Sequence, residues 1–225
     1  MNAQNDFRTA ERAHQSLLST IEKKALLAIA GRIPPWVSSD HLTALGFISL
    51  IGVGLSYTYA RWSRAGLLLA IGFFILNWFG DSLDGTVARV RQRQRPRYGF
   101  YVDHVLDACG SVFLFAGLAL SGYMSERVAV GLLVAYFLLS IEVYLATYTV
   151  GKFQLSFAMF SPTELRLLLI AGNIAVLRGP YVLIAGKQYL LFDVGGVIGI
   201  IGIVVALLWS IVKHTAHLYR EEGLS

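Results

Sequence analysis

Long apolar runs alternate with short polar connections along most of this 225-residue chain. A helix needs about 20 apolar residues to cross a bilayer. The pattern therefore predicts an all-α, polytopic membrane protein with six transmembrane helices, at about 42–60, 65–82, 100–122, 128–150, 164–184 and 190–212. Because Arg178-Gly179-Pro180 interrupts the fifth run, this span is predicted to be the weakest.

A shorter helix is predicted ahead of the first span, over residues 19–30. Ser19 and Glu22 have the spacing of a capping box, and Gly31 is a typical helix end. This segment is either a polar lead into the membrane or an amphipathic helix at the cytoplasmic interface beside the functional site. The chain then forms one membrane domain, 1–225, with an N-terminal cytoplasmic or interfacial segment at 1–35, a transmembrane core at 36–212 and a cytoplasmic tail at 213–225.

Composition and charge agree with a membrane location. Hydrophobic residues make up 56% of the chain and charged residues 15%, whereas soluble domains have about 45–50% and about 25%. The net charge of +5 would suit a nucleic-acid partner. However, lysine and arginine lie at the ends of the apolar runs, as membrane topology requires, so no nucleic-acid partner is expected.

The positive-inside rule predicts a cytoplasmic N-terminus. With that orientation fourteen lysines and arginines face the cytoplasm and five lie in the outer loops and the interrupted fifth span. The arginines between 89 and 97 set this topology and are also candidates for binding anionic membrane lipids. The short six-span chain is typical of the bacterial inner membrane, and the connection after the second span is predicted to face the cytoplasm.

Four aspartates lie where the second and third spans meet this cytoplasmic connection. Carboxylates in a membrane helix are costly and mark functional sites by default. If the second helix continues past Gly80, the side chains of Asp81, Asp84, Gly85 and Ala88 fall within an arc of about 100°. One helix face then carries two carboxylates that alternate with two small residues.

The third span carries a matching stripe. Gly99, Asp103 and Asp107 follow one another at intervals of four residues and share one helix face. Two facing helices would bring these carboxylates to one point, where hard oxygen ligands suit Mg²⁺, Mn²⁺ or Ca²⁺. No cysteine or histidine cluster is near in the sequence, so zinc is not expected.

The small residues beside the aspartates have two readings. Gly85, Ala88 and Gly99 leave space for a phosphate group, which Arg89 is placed to neutralise. Alternatively, the glycines mark close helix packing and the aspartates cap or link helices. The combined pattern favours a metal–phosphate site.

The segment resembles the signature of the CDP-alcohol phosphotransferase (CDP-alcohol phosphatidyltransferase) family, with the residues Asp81-x-x-Asp84-Gly85-x-x-Ala88-Arg89 and Gly99-x-x-x-Asp103-x-x-x-Asp107. Nine residues separate Arg89 from Gly99, where the family commonly has eight. The resemblance implies transfer of a phosphoryl-alcohol from a CDP-linked donor, of the CDP-diacylglycerol or CDP-choline/ethanolamine type, to an acceptor hydroxyl with release of CMP. One substrate would be a lipid, and the protein would be a homodimer.

The same resemblance implies roles for the signature residues. Asp107 would lie near the acceptor as general base. The implied ligands of one or two Mg²⁺ or Mn²⁺ ions are Asp81, Asp84, Asp103 and Asp107. The residues implied to contact the nucleotide and its phosphates are Gly85, Ala88, Arg89 and Gly99.

The segment entering the first span, Trp36 to Thr43, also resembles the family. Thr43 is implied to lie near the nucleotide. Ser39-Asp40 stands where the family usually has Pro-Asn. In the simpler interpretation, Ser39 or Asp40 caps the first helix.

Two further residues are similar to the choline/ethanolamine phosphotransferase branch. His104 follows an aspartate of the signature, and a Ser-Pro-Thr-Glu sequence ending at Glu164 opens the fifth span. In that branch a His and a Glu are thought to activate the acceptor hydroxyl. In the alternative, His104 is a polar interfacial residue and Ser161, Pro162 and Glu164 form a capping box. Asp107 is therefore preferred as the base, with His104 and Glu164 as further catalytic candidates.

Two other functions compete with this one. A membrane prenyltransferase also presents Asn and Asp to a Mg²⁺-diphosphate, and Asn77-x-x-x-Asp81-x-x-Asp84 has that character. Such enzymes usually place three residues between the aspartates, whereas this chain has two. A divalent-cation transporter would place its carboxylates nearer the middle of the membrane, and Arg89 would repel the cation.

Overall fold

The computed structural model describes residues 19–150 and 162–222. Within these residues the fold is almost entirely helical, which confirms the all-α prediction. The elements, in chain order, are α1 (Ser19–Ala30), α2 (Ser39–Ala60), α3 (Ala65–Val90), α4 (Pro96–Leu120), α5 (Glu126–Val150), α6 (Pro162–Arg178), β1 (Tyr181–Ile184), β2 (Lys187–Leu190) and α7 (Leu191–Glu221).

Five helices of the described part of the chain are long and apolar enough to cross a membrane: α2, α3, α4, α5 and α7. They correspond to five of the six predicted spans, and the protein is an integral membrane protein. The remaining prediction, the fifth span, corresponds to α6, which has 17 residues and ends at Arg178. Extending this span to residue 184 was wrong, since Gly179 and Pro180 end the helix and Tyr181–Ile184 pairs with Lys187–Leu190 in an antiparallel hairpin.

The two helices that carry the aspartates extend further toward their connection than their apolar runs. The α3 helix continues past Gly80 to Val90, and α4 begins at Pro96, a residue suited to the first helical position. Arg91, between them, donates hydrogen bonds to the backbone carbonyl groups of Ile33, Pro34 and Val37. The connection is thereby attached to the segment that leads into α2.

Glycines let α2 approach α3 and α4 closely. A Cβ atom at Gly80 would lie 2.6 Å from the backbone nitrogen of Gly46, and one at Gly117 would lie 2.2 Å from the carbonyl oxygen of Gly54. Small residues at such contacts are typical of membrane helix packing. The α2 helix therefore holds α3 and α4 together at a fixed distance.

We expect Gly117→Val to destabilise the protein by about 1–3 kcal/mol, because the added side chain forces α4 away from α2. Thermal unfolding in detergent measures the effect. Gly202→Val is the matched control, since a Cβ there meets no atom within 4 Å. Equal unfolding temperatures for the two variants would contradict this packing.

The predicted helix at 19–30 is confirmed as α1. Its residues Leu26 and Ala30 are buried in one apolar cluster with Leu83 and Val87 of α3. Its position at the membrane interface remains a prediction. The contact places α1 beside the end of α3 that carries Asp81 and Asp84.

A polar contact joins α5 to α7. The Nδ1 atom of His214 lies 2.7 Å from Oε1 of Glu142, and both side chains are largely buried. Glu142 precedes the end of α5 by two turns, and His214 lies just beyond the predicted end of the last span at residue 212. The contact links α5 and α7 near these ends.

Candidate active site

Three of the four aspartates come together between α3 and α4. Asp81, Asp103 and Asp107 each offer a carboxylate oxygen, and these three atoms lie within 4.8 Å of one another. Opposite ligands are separated by about 4.2 Å across Mg²⁺ and about 4.8 Å across Ca²⁺, twice the metal–oxygen distance. The donor set and its dimensions thus fit a hard divalent cation.

Asp84 lies one turn further along α3 and is not part of this cluster. Its Oδ2 atom accepts a hydrogen bond of 2.7 Å from the hydroxyl group of Thr43, and its Oδ1 atom contacts the backbone amide of Gly85. The hydroxyl group of Ser39 donates to the carbonyl oxygen of Asp84 over 3.0 Å. Asp84 is thereby held to the start of α2, and its role as a ligand remains a prediction.

The start of α2 differs from the capping prediction. Ser38, rather than Ser39 or Asp40, is the N-cap, and it exchanges two hydrogen bonds with His41 in a capping box. Asp40 instead forms an exposed ion pair with Arg95. With Ser38 as the cap, Ser39 and Thr43 face α3, and Thr43 also lines a narrow pocket with the three clustered aspartates.

An arginine from α6 reaches this cluster. Arg166 Nη2 donates to Asp81 Oδ2 over 2.5 Å, and its Nε atom donates to Asn77 Oδ1 over 2.7 Å. The buried Asn77 amide in turn donates to the carbonyl oxygen of Gly46 over 2.9 Å. In the sequence Arg166 was counted only as a topology charge, although an ionisable residue inside a predicted membrane span already suggests a functional role.

The first turn of α6 is attached to α1 and α3. Glu22 Oε1 accepts hydrogen bonds of 2.8 Å from Thr163 and from the indole nitrogen of Trp78. Thr163 lies three residues before Arg166, on the same side of the helix. The N-terminal helix thus helps to position the arginine at the cluster.

The small residues of the signature border open space. A Cβ atom at Gly99 would meet no atom within 4 Å, and one at Gly85 would meet only the end of the Arg89 side chain, at 3.4 Å. Ala88 lines a second pocket with Arg91 and Arg93. Packing among the described residues does not require glycine at 85 or 99, in contrast to Gly80 and Gly117.

His104 is buried on α4, next to Asp103 in the sequence. Its Nδ1 atom lies 2.6 Å from the carbonyl oxygen of Phe100, to which it must donate because a carbonyl only accepts. The ring stacks on Phe100 and meets the edge of Tyr144. Glu164 lies partly buried in the first turn of α6. Their pairing remains a prediction, and Ser161 of the capping alternative lies outside the described residues.

Comparison with known proteins gives one family match. A family model described as CDP-alcohol phosphatidyltransferase matches residues 36–212, which is most of the chain and includes every residue of the cluster. No curated protein matches the chain significantly.

Proposed function

The chain belongs to the CDP-alcohol phosphatidyltransferase family, and on this premise we propose that Asp81, Asp103 and Asp107 form a divalent-metal site for the transfer reaction. Enzymes of this family transfer substituted phosphate groups. The protein is accordingly a transferase of phospholipid biosynthesis that moves a phosphoryl-alcohol from a CDP-alcohol to an acceptor hydroxyl. The observation that carries the proposal is the convergence of three carboxylate oxygens within 4.8 Å.

We propose Mg²⁺ or Mn²⁺ as the resident ion, because the donors are all oxygen atoms. The chemistry supplied by such an ion when bound is electrostatic, namely polarisation of the diphosphate and stabilisation of the departing CMP. Asp84, which accepts a hydrogen bond from Thr43, is proposed as a fourth metal ligand, on the side of the site where the nucleotide is proposed to bind. The rate enhancement would come mainly from positioning and electrostatics.

Asp107 is the proposed general base. The acceptor oxygen bonds to the phosphorus that carries the alcohol, the bond from this phosphorus to CMP breaks, and Asp107 takes the acceptor proton. Its place among the clustered carboxylates supports this role, since the proton is removed next to the phosphate. His104 is the second candidate base: with Nδ1 donating to Phe100, a neutral ring leaves Nε2 as the proton acceptor. Glu164 is proposed as a further catalytic carboxylate near the acceptor.

The nucleotide and its phosphates are proposed to lie along Gly85, Ala88, Arg89 and Gly99. The support is steric, because the space beside Gly99 is open and the space beside Gly85 is bordered only by the end of the Arg89 side chain. The basic pocket beside Ala88 adds positive charge next to this space.

We expect Gly85→Ala to raise the KM for the CDP-alcohol about tenfold without loss of stability. Alanine favours a helix over glycine by about 1 kcal/mol, so a weaker substrate affinity would not reflect misfolding. Steady-state CMP release together with thermal unfolding measures both effects. Gly72→Ala, in the same helix and with no atom within 4 Å of an added Cβ, is the control. An unchanged KM for Gly85→Ala would contradict the nucleotide position.

The site is proposed to face the cytoplasm of a bacterial inner membrane, on the basis of the lysine and arginine distribution. The donor is proposed to be CDP-diacylglycerol or a CDP-choline/ethanolamine type of compound. Incubation with each donor and a panel of acceptors, followed by mass spectrometry of the lipid products, distinguishes the two. If no lipid product forms with either donor class, this assignment is contradicted.

A further inference from the structure

The guanidinium group of Arg166 occupies a carboxylate that the metal site needs. It contacts Asp81 through Nη2 at 2.5 Å, and its side chain is only 13% exposed. Arg166 pairs with one of the two carboxylate oxygens of Asp81. Because its positive charge lies directly beside the carboxylate, Arg166 and a divalent cation compete for Asp81 through charge repulsion.

An arginine displaced from Asp81 needs another anion nearby. A largely buried cation without a partner is costly. The diphosphate of the CDP-linked donor is an anion that must approach the same carboxylates for transfer to occur. The planar guanidinium group pairs with phosphate oxygens through two parallel hydrogen bonds, so it suits that partner.

We propose that Arg166 exchanges partners, from Asp81 in the substrate-free protein to a phosphate group of the CDP-linked donor when Asp81 serves as a cation ligand. This inference rests on the proposed function, since it requires both the metal and the nucleotide. Arg166 is thus a phosphate-binding residue that also balances the charge of Asp81 in the cluster when no substrate is bound.

The surroundings of Arg166 allow this exchange without movement of a helix. The start of α6 is attached to α1 through Thr163 and Glu22. Asn77 holds the Nε atom of Arg166 and is itself bonded to α2. Because the guanidinium group is planar, it changes partner by turning as a whole about the side-chain torsions, and rotamer changes of this size are fast.

The exchange couples the two ligands thermodynamically. Because Arg166 opposes the cation and attracts the nucleotide, its removal should move the two affinities in opposite directions. A purely structural role predicts that both affinities fall together. The direction of the metal affinity therefore separates the two explanations.

The experiment compares the full-length wild type in detergent with Arg166→Gln and Arg166→Lys. Binding of Mn²⁺ alone is measured by electron paramagnetic resonance of the free ion, and binding of CDP at saturating Mn²⁺ by calorimetry. For Arg166→Gln we expect Mn²⁺ to bind about tenfold more tightly and CDP about tenfold more weakly. Arg166→Lys keeps the charge and should bind Mn²⁺ as the wild type does, with intermediate CDP affinity. Arg178→Gln, at the exposed far end of the same helix, should change neither affinity.

The outcomes are distinguishable. Tighter Mn²⁺ binding together with weaker CDP binding in Arg166→Gln supports the exchange. If Mn²⁺ affinity does not rise, or CDP affinity does not fall, while the wild type binds both, this inference is overturned and the proposed function stands. A wild-type protein that binds no Mn²⁺ overturns both.

Discussion

Replacing Asp107 by asparagine is expected to lower the rate of CMP release by about 10²–10⁴-fold, the usual contribution of a positioned base. Asparagine has nearly the same shape but cannot accept the acceptor proton. Asp107 lies on α4 with its carboxylate oxygen in the three-aspartate cluster, so the loss acts where the acceptor meets the phosphate. Release of CMP from a CDP-alcohol by purified protein measures the effect, with thermal unfolding as the check on folding.

A control for Asp107→Asn removes a carboxylate elsewhere. Glu126→Gln changes an exposed residue in the first turn of α5 and should leave CMP release unchanged. If Asp107→Asn releases CMP at the wild-type rate, Asp107 is not the base, and His104 with Glu164 becomes the assignment to test by the same assay.

Replacing Asp81 by asparagine is expected to abolish both Mn²⁺ binding and CMP release. The substitution removes one of the three clustered carboxylates and leaves the Arg166 guanidinium without its charged partner. Loss of that pairing should also destabilise the protein by about 1–3 kcal/mol. Electron paramagnetic resonance of Mn²⁺ and thermal unfolding in detergent measure the two effects separately.

The double variant Asp81→Asn/Arg166→Gln separates stability from metal binding. It also removes the positive charge of Arg166, which Asp81→Asn leaves without its carboxylate partner, so stability should recover while Mn²⁺ binding stays lost. Retention of wild-type Mn²⁺ affinity in either variant would contradict the role of Asp81 as a ligand.

Helical periodicity was sufficient to predict the centre of this site. The spacing of Asp103 and Asp107 puts them on one stripe of a helix, and the structure brings Asp81 of α3 to the same place. From its spacing, Asp84 was predicted to lie on the same helix face as Asp81. It lies instead toward Thr43, because its position one turn further along α3 takes it past the cluster to the start of α2.

Contacts between distant segments could not be predicted in this way. Arg166 is 85 residues from Asp81, and no local pattern indicates that α6 places it at the cluster. The hairpin after α6 was missed for a different reason. Tyr181–Ile184 is as apolar as a membrane helix, and its turn at Ala185 and Gly186 has positive φ angles of 50° and 79° without the Asn-Gly sequence typical of such turns.

The central claim is a metal-dependent transfer from a CDP-alcohol at the three-aspartate cluster, and CMP release tests it most directly. Purified protein is incubated with CDP-diacylglycerol, CDP-choline or CDP-ethanolamine and an acceptor, with Mg²⁺ or Mn²⁺ and then with excess EDTA. We predict CMP release with at least one donor, loss of that release in EDTA, and its return when the metal is restored. Absence of CMP release from every donor, or release that EDTA does not change, would contradict the claim.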